Sequence, residues 1–134
     1  MLECFIMGDS IAVGVSKVRK ECHAQVQSGI SSPNYLKKFG DKIEEAKVVV
    51  ISLGANDYNI DTKSSIEKIR AKVKAAHVFW LLPSQERKPE SVKAVKEVAA
   101  KYGDTVIDRP KDMSPDGIHP NAKGYKTLAA QTKK

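Results

Sequence analysis

The chain has few of the residues that would define it cheaply. It carries two cysteines, Cys4 and Cys22, and one tryptophan in 134 residues. Two cysteines cannot build the multi-bridge framework of a small secreted scaffold. No Cys/His spacing suits structural zinc. No apolar run approaches the ~18 residues of a membrane span. Leu2–Met7 is apolar but short, and Glu3 interrupts it. That segment has no basic leader region and no small-residue cleavage site, so the expectation is a chain that starts in the cytoplasm as encoded. Neither G-x-x-x-x-G-K-[ST] nor G-x-G-x-x-G occurs, so neither phosphate-cradling loop is present. Helix-turn-helix, aromatic RNA-binding and zinc-knuckle signatures are also missing.

What is present is ordinary for a globular chain: 41% hydrophobic and 29% charged residues. At this length roughly 68% of the unfolded surface can be buried, so one domain over residues 1–134 is expected. The net charge is +7, from 23 Lys and Arg against 16 Asp and Glu. These cations are dispersed, which reads as solvated helix faces. No specific nucleic-acid partner is expected, and oligomeric state is not legible. Without a secretion signal, Cys4 and Cys22 are expected as buried, reduced thiols, although they lie on or near neighbouring predicted strands. Cys22 and His23 are adjacent on a strand and would point to opposite faces, so they are not a catalytic pair.

Apolar runs alternate with helical patterns. Strands are predicted over Leu2–Met7, His23–Gln27, Lys47–Leu53, His77–Leu82 and Thr105–Ile107. Helices are predicted over Ile11–Lys20, Asn34–Glu45 with a break near Gly40, Ser64–Ala75, Pro89–Lys101 and Asn121–Thr132. Val48-Val49-Val50-Ile51 is β-branched throughout, as suits a central parallel strand buried on both faces. Pro89 opens a helix where a missing N–H costs nothing. Strict β-α alternation demands right-handed crossovers and a parallel sheet covered on both faces. Ligands then sit at the carboxyl ends of the strands.

The reactive residues fall at that edge. Ser10 follows the first strand, Gly29 the second and Asn56 the third. Asp116 and His119 lie between the fifth strand and the last helix. A serine hydroxyl is a weak nucleophile until a base takes its proton. His119 can be that base, and Asp116 can hold its other ring nitrogen. The amides of Ser10 and Gly29 and the side chain of Asn56 can face an oxyanion. Each residue also has a plain structural reading. Ser10 suits a helix cap, Asn56-Asp57 suits a turn, and Asp9 is read as structural. His23 and His77 begin strands, at the opposite edge. Ala12 occupies the last place of a G-x-S-x-G elbow, so the α/β-hydrolase signature is incomplete.

Four blocks together resemble the SGNH (GDSL-type) hydrolases: Gly8-Asp9-Ser10-Ile11, then Ser28-Gly29, then Gly54-Ala55-Asn56-Asp57, then Asp116-Gly117-Ile118-His119-Pro120. The last continues as Asn121-Ala122-Lys123-Gly124-Tyr125. The resemblance implies a three-layer α/β/α sandwich with a five-stranded parallel sheet in flavodoxin-like order 2-1-3-4-5. It implies ester hydrolysis through an acyl-enzyme without metal or organic cofactor. Ser10, Asp116 and His119 would be the triad, with Ser10, Gly29 and Asn56 as oxyanion hole. The chain is short for the family, so an open, shallow mouth for a small acyl group is expected. Tyr58, Trp80 and Pro83 are candidate rim residues. The expected substrate is a small-molecule or carbohydrate ester, such as an O-acetylated sugar. The rival readings are a lysophospholipase or thioesterase, marked by an apolar groove, and an idle binding or particle-associated module.

Overall fold

The computed structural model describes residues 1–134. Strands β1 (Leu2–Gly8), β2 (His23–Val26), β3 (Ala46–Ser52), β4 (Ala75–Leu81) and β5 (Thr105–Ile107) form one parallel sheet. Their order is β2-β1-β3-β4-β5. Helices α1 (Ser10–Val18) and α5 (Ala122–Gln131) cover one face. Helices α2 (Ser32–Phe39), α3 (Thr62–Ala71) and α4 (Pro89–Tyr102) cover the other. This is the α/β/α sandwich expected from the alternation.

The period-2 geometry of a strand divides its residues between the layers. Phe5, Met7, Val49, Ile51 and Trp80 pack with Tyr35, Ile66, Ile69 and Val95 on the α2–α4 side. Ile6, Val48, Val50, Phe79 and Leu81 pack with Ala12, Val15 and Leu128 on the α1–α5 side. Both faces of β3 are therefore dry, which is why its sequence is a continuous β-branched run. At the carboxyl edge Gly8 pairs with Val26 of β2 and with Ser52 of β3. The loops that follow these three strands thus start level with one another. Gly8 has φ of +136°, and a Cβ there would meet Ser52 O at 2.0 Å. Only glycine lets β1 turn into α1 this close to β3.

Local chemistry sets the helix starts. Asp9 caps α1 by accepting from Ile11 N at 3.1 Å. Ser31 caps α2, Asp61 caps α3 and Asn121 caps α5. Gly103, with φ of +72°, ends α4 in the left-handed conformation that favours glycine. Several boundaries move from the sequence expectation. The second helix stops at Phe39 and a single 3-10 turn, Gly40–Lys42, replaces its continuation. Ala75 begins β4 rather than ending a helix, because it pairs with Ala46. Val18 is exposed, and the inward side of α1 is Ala12 and Val15.

The reduced state expected for Cys4 and Cys22 is overturned. The two form a disulfide. Cys4 lies in β1, Cys22 immediately precedes the neighbouring β2, and their Cα atoms are 4.9 Å apart. That separation is within the range a bridge requires. The expectation of reduced thiols rests on cytosolic thiols usually being kept reduced. No helix is long and apolar enough to cross a membrane.

Candidate active site

Four loops at the carboxyl edge, those after β1, β2, β3 and β5, bring together residues from opposite ends of the sequence. Ser10 is the first residue of α1, one place after its cap, so its own N–H has no intrahelical acceptor. Ser10 Oγ lies 2.9 Å from His119 Nε2. His119 Nδ1 lies 2.9 Å from Asp116 Oδ2. A single tautomer serves both contacts: Nδ1–H donates to the carboxylate, and Nε2 accepts the serine hydroxyl.

The loop carrying Asp116 and His119 is built to hold them. Ser114 N donates to His119 O at 2.8 Å, and Met113 and Pro120 form an antiparallel bridge. Asp116 Oδ1 accepts from the amides of Ile118 at 2.8 Å and His119 at 3.0 Å. The hydrogen bond with the His119 ring, followed by these two amides, holds the Asp116 carboxyl well below the usual carboxylate range. It is ionised wherever an imidazole can act as base.

Gly29 lines the same cavity with φ of +78°, and no atom lies within 4 Å of where its Cβ would be. Its amide has no acceptor within the protein. Asn56 also lines the cavity; its Nδ2 donates to Ile30 O at 3.2 Å, which fixes the amide plane and leaves its second N–H free. The Asn56 loop is pinned by its neighbour. Asp57 is buried and accepts from Ser32 N at 2.8 Å and Thr62 Oγ1 at 2.7 Å, tying the loop to the starts of α2 and α3.

The cavity measures about 500 Å³. It is deeper than the shallow mouth expected from chain length. Leu81, Leu82, Ile107 and Leu128 form a buried apolar wall. Tyr58 and Pro83 are among its lining residues, and Tyr58 is 68% exposed. Trp80 does not line it. It is 0% exposed and belongs to the core beneath α2–α4. Its Nε1 donates to Asp104 Oδ2 at 2.9 Å, and Asp104 also takes a two-pronged contact from Arg70. Strand alternation turns Leu81 toward the cavity and Trp80 away from it. Leu81 therefore both packs in the core and lines the site.

Three cations were missed by sequence reasoning. Arg87 Nη2 donates to Asp116 O at 3.2 Å. Arg109 Nη2 donates to Gly117 O. Lys88 Nζ donates to Asp57 O at 2.9 Å and lies 3.1 Å from the centre of the Tyr58 ring. Their position just after β4 and β5, at the ligand edge, was the available signal. It was lost among evenly spread lysines.

No protein-family profile matches the chain. Among solved structures, the fold is that of a GDSL-like lipase from Bacteroides thetaiotaomicron, with a TM-score of 0.70, 18% identity, and coverage of 96% of this chain and 84% of that one. It is likewise similar to the C-terminal catalytic domain of peptidoglycan O-acetyltransferase A from Streptococcus pneumoniae. There the TM-score is 0.63 at 18% identity, covering 98% of this chain and 92% of that domain. A curated relative is YrhL of Bacillus subtilis, inferred to be a peptidoglycan O-acetyltransferase, 25% identical over 96% of this chain. The chain spans only 23% of that relative's length.

Proposed function

We propose that the protein is a serine ester hydrolase working through an acyl-enzyme. The observation that carries this reading is the continuous hydrogen-bonded chain Ser10–His119–Asp116. In the first half-reaction His119 Nε2 takes the Ser10 proton as Oγ bonds to the ester carbonyl carbon. The carbonyl oxygen becomes an oxyanion, faced by the amides of Ser10 and Gly29 and by Asn56. The carbon–alkoxy bond breaks, and His119 gives its proton to the departing alcohol. Water then repeats the sequence, releasing the acid and restoring Ser10. Every proton is carried by His119, so the scheme needs neither metal nor organic cofactor.

Small acyl esters, such as an O-acetylated carbohydrate, are the substrate class we favour. The shared fold of the S. pneumoniae catalytic domain and the similarity to YrhL support it. Those two proteins, one an O-acetyltransferase and the other inferred to be one, also favour a second fate for the acyl-enzyme, transfer to a sugar hydroxyl in place of water. The apolar wall of Leu81, Leu82, Ile107 and Leu128 favours longer acyl groups and keeps the lipolytic reading in play.

The test has three parts. Wild type hydrolyses p-nitrophenyl acetate and Ser10→Ala does not; equal turnover after removal of contaminating esterase ends the triad reading. A fluorophosphonate labels Ser10, whereas an unlabelled protein would point to an idle binding module. A panel of acyl lengths on one leaving group, run with and without an added sugar acceptor, separates acetyl hydrolysis from long-chain hydrolysis and from transfer.

A further inference from the structure

The wall of the cavity divides by chemistry. Its buried part is apolar, while its outer part carries Arg87, Lys88 and Arg109. None of these cations has a carboxylate within 4.0 Å, although six ion pairs form elsewhere in the protein. The one carboxylate in the lining, Asp108, is exposed and pairs with none of them. Each cation is held instead by a backbone carbonyl: Asp116 O, Asp57 O or Gly117 O. Such contacts fix where the charge stands without neutralising it. A guanidinium has five N–H donors, so each arginine keeps most of its donors free. Three unneutralised cations from two loops at the mouth of one cavity make a field for an anion.

We propose that the alcohol portion of the substrate carries a carboxylate or phosphate, seated by Arg87, Lys88 and Arg109 at the mouth of the Ser10 cavity. The apolar wall takes the acyl portion, and the cationic rim takes what leaves. The inference builds on the esterase reading and names the charge of its substrate.

The experiment compares three acetates of one aryl scaffold: 4-acetoxybenzoate, 4-acetoxybenzamide and 4-acetoxyphenyl phosphate. Each kcat/KM is divided by the ester's own hydroxide rate, which removes leaving-group differences. The anionic esters should exceed the neutral one by about ten-fold, the size of one charge-assisted hydrogen bond. The advantage should shrink as sodium chloride is raised. The better of the two anionic esters identifies the anion. In Arg87→Gln/Lys88→Gln the ratio should fall towards unity, whatever the change in absolute rate from loosening the Asp116 loop. Equal rates for charged and neutral esters, or a ratio unmoved by the double variant, overturn the proposal. Calorimetry on Ser10→Ala with benzoate, phenyl phosphate and benzamide reads the same site without turnover. Anions bound in preference to benzamide, and weakened by Lys88→Gln, sustain the cationic site even if no ester is hydrolysed. Absence of that preference overturns it even if esters are.

Discussion

Ser52 Oγ donates to Asp9 Oδ1 at 2.9 Å, joining the end of β3 to the residue that caps α1 and precedes the candidate nucleophile. Asp9 is fully buried, and its second oxygen has no partner. Burial pushes its carboxyl up from 3.8 to about 6, against the lowering effect of Ser52 and nearby amides. The backbone under Ser10 is thus held by an acid that resists ionisation.

This makes Asp9 a neutral-pH liability. Its folded pKa lies above its unfolded value, so the native state binds the extra proton between the two. Stability falls as pH rises from about 4 to about 6, and the full cost is present above that window. The shift corresponds to about 3 kcal/mol at neutral pH, at 1.36 kcal/mol per unit. Asp9→Asn keeps an acceptor at Oδ1 and cannot ionise. It should raise Tm at about pH 8 by on the order of 10 °C, with little gain near pH 4. Parallel Tm-versus-pH curves for the two proteins would remove the argument.

Asp116 has the opposite sign. Its folded pKa is depressed, first by the His119 ring and then by two amides. Its contribution to stability is present above the unfolded carboxylate value and is lost as pH falls through the lower folded one. Because the side chain is exposed, the effect on Tm should be small. The effect on rate should not be. In Asp116→Asn the amide can present Nδ2 to His119 Nδ1, which favours the tautomer whose Nε2–H faces Ser10. The expected loss in kcat is up to about 10⁴-fold with KM little changed. Steady-state kinetics on p-nitrophenyl acetate decides it, and a wild-type kcat would show that Asp116 does not orient the base.

Asn56→Ala removes a side-chain donor and leaves Ile30 O without its partner. A kcat lower by about 10²–10³, with fluorophosphonate labelling slowed in proportion, is the expected outcome. An unchanged kcat would exclude Asn56 from the oxyanion hole while leaving the triad intact.

Much of this site was legible because it obeys chain-level rules. The β-branched run at Val48–Ile51 marks a central strand, and β-α alternation puts Ser10, Gly29, Asn56, Asp116 and His119 on one edge. The Asp57 tie to Ser32 and Thr62 was hidden because it joins three loops whose approach only the fold determines. Trp80 was misplaced for a related reason. Position along a strand gives its height in the sheet, but the side it faces depends on register. The Cys4–Cys22 bridge needed the same register information, since sequence pattern identifies neighbouring strands without giving the Cα separation.

Trp80 now makes a separable prediction. As the lone tryptophan, buried and bonded to Asp104, it reports folding through its fluorescence. Trp80→Phe deletes the donor and should cost about 1–3 kcal/mol of stability, read for both proteins by urea titration followed by far-UV circular dichroism because the variant lacks the fluorophore. KM for aryl acetates should stay within about two-fold of wild type, because the ring is outside the cavity. A large rise in KM with unchanged stability would return Trp80 to the rim.

The disulfide gives the last prediction. Cys4 and Cys22 are 18 residues apart, and closing a loop of that size in the unfolded chain contributes about 3 kcal/mol in the chain-entropy account. Cys4 sits towards the beginning of β1, whereas Ser10 follows its end, so the bridge supports the sheet without touching the site. Reduction, or Cys4→Ala/Cys22→Ala, should therefore lower Tm by on the order of 10 °C. At temperatures where both forms are folded, kcat should be unchanged. A thiol titration of the denatured protein should find no free thiol before reduction and two after it. Two free thiols in protein purified under oxidising conditions would restore the reduced state. A loss of kcat without a loss of Tm would instead mean that the bridge governs the geometry of Ser10 through β1.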